Sequence, residues 1–208
     1  MNILAIGAHP DDIEIGCGGT LIKYAKAGHN VFMLILTDGC FGGDPVIRRC
    51  EQEKAAKFIG AKKIFWGGFR DTELVENREL ILKIDEVISK VKPDIALINY
   101  VKDVHQDHRA AAHAGISATR YVKEVLFFEV PTTVHFEPNI FVGIKDILPK
   151  KLQLLKMHCS QVNRTKVENL NILESAQSCA IFRGFQGRVK YAEGFCALRV
   201  LREIRKKL

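Results

Sequence analysis

The first half of the chain alternates short apolar runs with segments of helical periodicity, and this pattern constrains the fold more than any other feature. Mainly apolar runs of strand length occupy residues 1–6, 31–36, 63–66 and 95–99. The second run has no polar residue, which indicates a strand buried on both faces, as in a parallel sheet. Right-handed crossovers place the intervening helices on both faces of such a sheet. We therefore predict a doubly wound α/β fold with a mostly parallel sheet.

The segments between these runs have the spacing of helices that lie against a sheet. Residues 77–91 carry apolar side chains at intervals of three and four, as an amphipathic helix requires. In residues 46–59 we expect Ile47 to face the core and Arg48 and Glu51 to lie among the polar residues. Both helices would join consecutive strands of the sheet.

The alternation loosens beyond residue 121. The segments predicted there are strands at 125–128, 140–144 and 194–199 and helices at 150–161 and about 167–181. No low-complexity linker interrupts the chain, and its length fits one domain. We predict a single domain over residues 1–208, in which 1–121 form the core and 122–208 form a C-terminal α/β cover.

Composition narrows the class of protein. Of 208 residues, 47% are apolar and 26% are charged, as in soluble globular proteins. No apolar run is long enough to span a membrane, and no leader segment opens the sequence. The six cysteines are scattered without a C-x-x-C pair, which favours reduced thiols. We expect a cytoplasmic protein that does not bind a membrane.

The chain is basic, with a formal net charge of +7 to which residues 199–208 contribute. Basic segments can bind nucleic acid. This one lacks interleaved aromatic residues and a recognised binding motif. We therefore expect a solvated C-terminal segment and no nucleic-acid partner.

The loop after the first predicted strand concentrates groups that bind metals. It carries His9, Asp11, Asp12 and Glu14 within six residues. A pair of aspartates alone would be an ordinary helix cap. A histidine directly before Pro10 and the aspartate pair, at the end of a first strand, instead indicates a metal site.

A second polar loop follows the fourth predicted strand. It contains His105, Asp107 and His108, directly before an alanine-rich helix. Ligands in doubly wound folds bind beyond the carboxyl ends of the strands, where loops from different strands meet. We therefore expect the two polar loops to form one site.

Together the two loops can supply a catalytic zinc site. His9, Asp12 and His108 make a set of two histidines and one carboxylate, which leaves a coordination position for water. Zinc lowers the pKa of such a water from about 16 to about 7. Asp11 is then the candidate general base. A protonated His105 could stabilise the oxyanion and protonate the leaving amine, and Asp107 could hold its ring.

These motifs and several others resemble one known family. They are Ala8-His9-Pro10-Asp11-Asp12, Gly18-Gly19-Thr20, Arg48-x-x-Glu51, Gly68-Phe69-Arg70-Asp71, His105-Gln106-Asp107-His108, Glu129-x-Pro131, Lys151, His158-x-Ser160-Gln161 and Tyr191-Ala192-Glu193-x-Phe195. The sequence resembles the PIG-L/LmbE-like family of zinc-dependent N-acetylglucosaminyl deacetylases over nearly its whole length.

The resemblance implies a Rossmann-like fold and the removal of an acetyl group from an N-acetylated sugar. It assigns metal binding to His9, Asp12 and His108. It also makes Asp11 the general base and His105 the residue that assists the tetrahedral intermediate. The positions of Arg48 and Asp71 contact substrate in some members. Homo-oligomers are common in the family, and we expect that this chain could form one.

Two positions depart from the pattern of many members. Ile13 stands where they have a glutamate, which is shifted here to Glu14. Asp103 stands where several members have a tyrosine, which predicts different contacts to the oxyanion.

Three matters stay open from the sequence. The sugar could carry a nucleotide or a phosphate, which the basic composition weakly favours. The same site could serve an amidase that cleaves a thiol-sugar conjugate. Alternatively, Gly16, Gly18 and Gly19 could belong to a non-catalytic nucleotide-binding loop, although the turn after the first strand is occupied by His9 and Pro10.

Overall fold

The computed structural model describes residues 1–201. Within them the strands are β1 (Asn2–Gly7), β2 (Asn30–Thr37), β3 (Lys63–Phe69), β4 (Ile95–Asn99), β5 (Glu124–Phe128), β6 (Ile140–Gly143) and β7 (Ala192–Arg199). The helices are α1 (Asp12–Lys26), α2 (Pro45–Ile59), α3 (Arg78–Val91), α4 (Gln106–Ala118), α5 (Leu148–Leu155) and α6 (Ile172–Gln186), with a 3₁₀ turn at Cys40–Gly42.

The strands form one sheet in the order β3-β2-β1-β4-β5-β7-β6. β1 to β5 are mutually parallel, whereas β7 runs antiparallel to both β5 and β6. β1 lies in the middle, where Ala5 pairs with Met33 of β2 and Leu97 of β4. The predicted mostly parallel, doubly wound α/β fold is confirmed.

Helices cover both faces of the sheet. Alternate residues of β1 show the division: Ile3 and Ala5 pack in the apolar core beneath α1, α2, α5 and α6. Leu4 and Ile6 pack in the core beneath α3 and α4. Burial on both faces explains why the parallel strands appear in the sequence as unbroken apolar runs.

The C-terminal residues continue this sheet. β7 pairs with β5 from Phe128↔Phe195 to Val125↔Arg199, and Phe195 is fully buried. The division into a core and a cover therefore rests on sequence pattern rather than on a gap in the sheet, and it stays a prediction. Most of the basic segment predicted to be solvated, residues 202–208, lies outside the described residues.

The glycines considered for a nucleotide-binding loop lie inside α1 instead. A Cβ on Gly16 would meet the Phe128 ring at 2.2 Å, and one on Gly18 would meet Leu154 Cδ2 at 2.8 Å. One on Gly19 would lie 3.0 Å from Glu193 Oε1. Close packing of α1 against the C-terminal half requires these glycines, so that half accounts for them without a phosphate.

A buried ion pair binds the backbone of α1 at the same place. Lys151 Nζ lies 2.5 Å from Glu193 Oε1 and donates to the Ile15 carbonyl at 2.7 Å. Glu193 accepts from the backbone N–H groups of Gly19 and Thr20 at 2.8 and 2.6 Å. α5 and β7 thereby fix the helix that begins directly after the His9 loop.

The predicted inner face of α2 is wrong in its first two turns, whereas Ala55 and Ile59 farther along the helix are buried. Ile47 is 50% exposed, whereas Arg48 and Glu51 are buried. Their charged groups find hydrogen-bond partners in loops distant in sequence, which periodicity does not reveal. Among the helices of residues 1–201, none combines the length and apolar character that crossing a membrane requires.

Candidate active site

The site lies at the carboxyl edge of the parallel strands. His9 follows β1, the 3₁₀ turn follows β2, and Asp71 follows β3. His105 caps the start of α4 after β4, and its Nδ1 accepts from the Asp107 N–H at 3.2 Å. Asp11 has a φ of 94°, a strained conformation for a residue with a side chain. The two polar loops meet, as predicted.

The three predicted metal ligands have nitrogen and oxygen atoms within 3.5 Å of one another, Asp12 through a different oxygen for each histidine. His9 Nδ1 lies 3.2 Å from His108 Nε2 and 3.5 Å from Asp12 Oδ2. His108 Nε2 lies 3.3 Å from Asp12 Oδ1. A tetrahedral zinc site with bonds of about 2.1 Å places its ligand atoms about 3.4 Å apart. The donor set therefore fits a small divalent cation.

The second nitrogen of each histidine contacts carboxylates. His9 Nε2 lies 3.0 Å from Asp71 Oδ1 and 3.2 Å from Asp107 Oδ2. His108 Nδ1 lies 3.2 Å from Asp103 Oδ2. Histidine ligands of metals commonly donate their other N–H to a carboxylate, which fixes the ring and its tautomer. Both rings have this arrangement.

The imidazoles and carboxylates of this cluster shift one another's pKa values. Burial lowers the pKa of His9, but its bonds to Asp107, Asp12 and Asp71 outweigh burial and raise it well above its usual value. Likewise, the pKa of His108 is raised to about 9, because Asp12 and Asp103 overcome burial. Despite burial, the pKa of Asp71 falls to about 2 beside His9. Binding of a cation would displace the proton from the coordinating nitrogen of each of these two imidazoles.

Other donors lie close enough to offer alternative ligand sets. Donor atoms of His9, His105 and His108 lie within 4.8 Å of one another, and so do those of His9, Asp71 and Asp107. The His105 ring lies 4.6 Å from that of His9 and 4.7 Å from that of His108, between centroids. The assignment of Asp12 rather than His105 as the third ligand thus stays a prediction.

His105 is placed to act in its neutral form. Its Nδ1 accepts a hydrogen bond, so the ring hydrogen is on Nε2 in the neutral tautomer. Burial and the neighbouring His9 and His108 lower its pKa. This differs from the protonated role expected from the sequence. The Asp107 carboxylate also contacts His9 and the Thr72 N–H, at 2.7 Å, rather than the His105 ring.

Asp11 borders a cavity of about 270 Å³ that also includes His9, Asp12 and His105 in its wall. Its carboxylate lies 3.4 Å from Arg48 Nη2, and its N–H donates to Gln52 at 3.1 Å. Burial raises the pKa of Asp11 to about 6, against the opposing effect of Arg48. A carboxylate in this position can accept a proton from a reactant in the cavity.

Arg48 and Asp71, predicted as substrate contacts, also line this cavity. Arg48 donates to the carbonyls of Gly39 at 2.8 Å and Pro10 at 2.6 Å, so it ties two site loops together. Asp71 accepts from the Phe41 N–H at 2.9 Å. Both residues shape the cavity wall, and their contact with substrate stays a prediction.

Comparison with known proteins identifies the family of this chain. The model of the PIG-L family, described as GlcNAc-PI de-N-acetylase, matches residues 4–119, more than half of the chain. The chain belongs to the PIG-L family. The resemblance inferred from the motifs is confirmed.

Relatives of this PIG-L protein are deacetylases. An uncharacterized deacetylase, YaiS, of Escherichia coli is 34% identical over 76% of this chain and 90% of its own length. The diacetylchitobiose deacetylase of Thermococcus kodakarensis is 33% identical over 92% of this chain and 81% of its own. The chain is accordingly an enzyme of the deacetylase class, as predicted.

A solved structure supports the same assignment. The N,N'-diacetylchitobiose deacetylase of Pyrococcus horikoshii superposes with a TM-score of 0.84 at 28% identity. The match covers 95% of this chain and 83% of that one. The likeness therefore includes the C-terminal half, beyond the residues that the family model matches.

Sequence reasoning missed several residues that hold the site of this PIG-L member. Asp103 was noted only as a departure, yet it supports His108 and accepts from the His105 N–H at 2.8 Å. Glu51 accepts from the N–H and Oγ of Ser160, at 2.8 and 2.7 Å, and so fixes the segment that carries His158. The signals available in the sequence were the position of Asp103 next to a histidine motif and the motifs Arg48-x-x-Glu51 and His158-x-Ser160-Gln161.

Proposed function

We propose that this chain removes the acetyl group from the amide nitrogen of an N-acetylated sugar, in a reaction that depends on zinc. The observation that carries this proposal is the convergence of His9, Asp12 and His108, with a carboxylate behind each imidazole. Relatives named for N-acetylated sugars support the substrate class, among them a diacetylchitobiose deacetylase and a probable N-acetylglucosaminyl malate deacetylase.

The ion contributes Lewis acidity. Held by His9, Asp12 and His108, a zinc ion would polarise the amide carbonyl and lower the pKa of a water molecule at the site. Asp71, Asp107 and Asp103 orient the two imidazoles through their second nitrogens.

Asp11 moves the proton. Its carboxylate accepts a proton from the attacking water as the new C–O bond forms at the acetyl carbon. It returns this proton to the sugar nitrogen as the C–N bond breaks, giving a free amine and acetic acid, which then ionises to acetate. The contact with Arg48 at 3.4 Å keeps the carboxylate turned toward the cavity.

His105 stabilises the developing negative charge. With its hydrogen on Nε2, the neutral ring can donate to the carbonyl oxygen as that oxygen becomes an oxyanion. The N–H of Asp107 holds the ring in place through Nδ1. Cytoplasmic location, a small-molecule sugar as partner and homo-oligomer formation remain our predictions from the sequence.

Asp11→Asn tests the proposal. The variant should retain zinc but lose at least about 100-fold in the rate of amine release from N-acetylglucosamine derivatives, the scale of a lost general base. Asp38→Asn, at an exposed aspartate close in sequence, is the matched control and should keep the wild-type rate.

Two results would contradict the proposal. Full activity of Asp11→Asn would remove Asp11 from the reaction. Wild-type protein that releases no amine from any N-acetyl sugar, yet cleaves a thiol-sugar amide, would favour the amidase alternative instead.

A further inference from the structure

One apolar side chain stands in the wall of the cavity that contains the reactive groups. The described residues around this cavity carry imidazole, carboxylate, guanidinium or hydroxyl groups, apart from Gly42 and Phe41. Phe41 belongs to the 3₁₀ turn after β2, is 65% exposed and has no part in the chemistry above. Single exposed apolar residues are common on protein surfaces, so the position of Phe41 beside the reactive groups is what needs a reason.

The backbone of Phe41 is held by residues that also hold the reactive groups. Its N–H donates to Asp71 Oδ2 at 2.9 Å, while Asp71 Oδ1 lies 3.0 Å from His9 Nε2. Arg48 donates to the carbonyl of the residue before the turn at 2.8 Å, and its Nη2 lies 3.4 Å from the Asp11 carboxylate. The turn is thereby tied to a predicted metal ligand and to the proposed base. A substrate placed by these groups meets Phe41 at a fixed position.

Glycines leave Phe41 as the one bulky side chain of this turn. Gly39 has a φ of 66°, which residues with a side chain rarely adopt. A Cβ on Gly39 would overlap the Arg48 guanidinium, and one on Gly42 would lie 2.5 Å from Arg48 Nη1. Close approach of the turn to Arg48 therefore excludes side chains on either side of Phe41, whereas the position between them carries a phenyl ring.

Arg70 contacts the Phe41 ring without covering it. The guanidinium carbon lies over the ring, 5.8 Å from its centre, and Arg70 Nη1 pairs with Glu73 at 3.0 Å. Such a cation–π contact favours one orientation of the ring. The 65% exposure of Phe41 shows that most of its surface stays free for a ligand.

A pyranose ring complements a wall of this kind. Its hydroxyl groups lie around the edge, where carboxylates and Arg48 can bind them, and its C–H groups lie on the two faces. The face of a phenyl ring carries partial negative charge, which attracts such C–H groups. Packing of the two rings also removes apolar surface of both from water. An open-chain polyol has the same kinds of groups but presents no rigid C–H face.

We propose that Phe41 binds the C–H face of the N-acetylated sugar and so selects a closed sugar ring over an open-chain amide. The inference rests on the proposed function and names the residue that recognises the ring of the reacting sugar itself.

Binding of amine products tests Phe41 without turnover. Titration calorimetry on the zinc-loaded protein would compare glucosamine with glucosaminitol, the reduced open-chain form, which keeps the amine and the hydroxyl configuration but has no ring. Phe41→Ala should weaken the binding of glucosamine about 3- to 10-fold, the contribution of one aromatic contact, and change that of glucosaminitol by less than about 2-fold. Phe41→Tyr keeps the aromatic face and should keep the wild-type affinity for glucosamine.

Phe185→Ala is the matched control. It removes a phenylalanine of α6 that is 73% exposed and should change neither affinity. Kinetics give a second readout. Phe41→Ala should raise KM for an N-acetylglucosamine derivative by the same factor with little change in kcat, because the contact is made equally in the ground state and the transition state. Bound zinc should stay at the wild-type level.

The outcomes separate the two proposals. Equal losses for glucosamine and glucosaminitol in Phe41→Ala, or no loss for either, would overturn the role of Phe41 and leave the proposed function standing. Loss of zinc from Phe41→Ala would also overturn it, since the residue would then act on the metal site through Asp71. Wild-type protein that hydrolyses no N-acetyl sugar, but loses affinity for glucosamine alone in Phe41→Ala, would refute the function and keep the role of Phe41.

Discussion

The parallel part of the sheet and the C-terminal half contribute to the site in different ways. The segments after β1 and β4, each a loop and the first turn of the helix that follows it, supply every predicted metal ligand and Asp11, at the edge where parallel strands end. The C-terminal half supplies the Lys151–Glu193 pair that binds the backbone of α1, and His158 behind Asp11. The parallel part therefore supplies both the reacting groups and the carboxylates that orient them, whereas the C-terminal half anchors the helix α1.

A change to a ligand in the parallel part should have the largest effect. Asp12→Asn keeps an acceptor for the backbone N–H of His9 but removes the negative charge that attracts a cation. We expect loss of bound zinc and at least about 1,000-fold lower activity, because the Lewis acid is worth several kcal/mol. Metal analysis and amine release measure both, and circular dichroism should show an intact fold. Bound zinc at the wild-type level would remove Asp12 from the ligand set.

A change in the C-terminal half should act on stability first. Lys151→Met leaves the buried Glu193 carboxylate without its cation, and we expect the free energy of unfolding to fall by about 3 kcal/mol. Lys90→Met, which breaks the exposed Lys90–Glu86 pair of α3, should cost less than about 0.5 kcal/mol. Denaturant titration measures both variants. Similar losses in the two would show that the buried pair does not anchor α1.

A change to Asp103 should have an intermediate effect, because Asp103 is not a predicted metal ligand but contacts one, His108. Asp103→Asn removes the charge opposite His108 Nδ1, and we expect zinc affinity to fall about 10- to 100-fold. Competition with a chelator measures the affinity. Asp94→Asn changes an aspartate just before β4, at the other end of the strand, and should leave affinity unchanged. An unchanged affinity in Asp103→Asn would mean that the His108 ring is held without it.

The smallest expected effect concerns Glu51. Although burial raises its pKa, bonds from Cys159 and Ser160 lower it below the usual value. Its contribution to stability is therefore present above the unfolded pKa of about 4.3 and is lost as pH falls through the lower folded value. Glu51→Gln should lower Tm by roughly 2–4 °C at pH 7, and the difference should shrink toward pH 4.

Glu53→Gln, at an exposed position of the same helix, is the control and should leave Tm unchanged. A Tm difference for Glu51→Gln that does not vary with pH would mean that the carboxylate charge is not what holds Ser160.

The sequence predicts the parallel part of the sheet better than it predicts the C-terminal half. The runs of β1 to β4 and the meeting of the His9 and His105 loops follow from apolar periodicity and from the geometry of parallel sheets. Apolar periodicity depends only on residues close together in the chain, so a single sequence is enough to detect it. The predicted helix at about 167–181 was placed too early, since α6 spans Ile172–Gln186.

What the sequence did not predict depends on contacts between distant residues. Arg48 was predicted to lie among the polar residues of its helix, but its bond to the Pro10 carbonyl holds it buried beside the active site. The reason for Gly16 is the Phe128 ring, and the reason for Gly19 is Glu193, 174 positions away along the chain. Such partners have no periodic signal, because only the folded chain brings them together.

The proposed mechanism depends on one metal ion held by His9, Asp12 and His108. The most direct test is to titrate zinc into metal-free protein and to follow bound zinc and amine release in the same samples. We predict that activity rises in parallel with occupancy and saturates at about one ion per chain, and that His108→Ala loses both. Full amine release from protein that contains no metal, or wild-type zinc binding in His108→Ala, would contradict this mechanism.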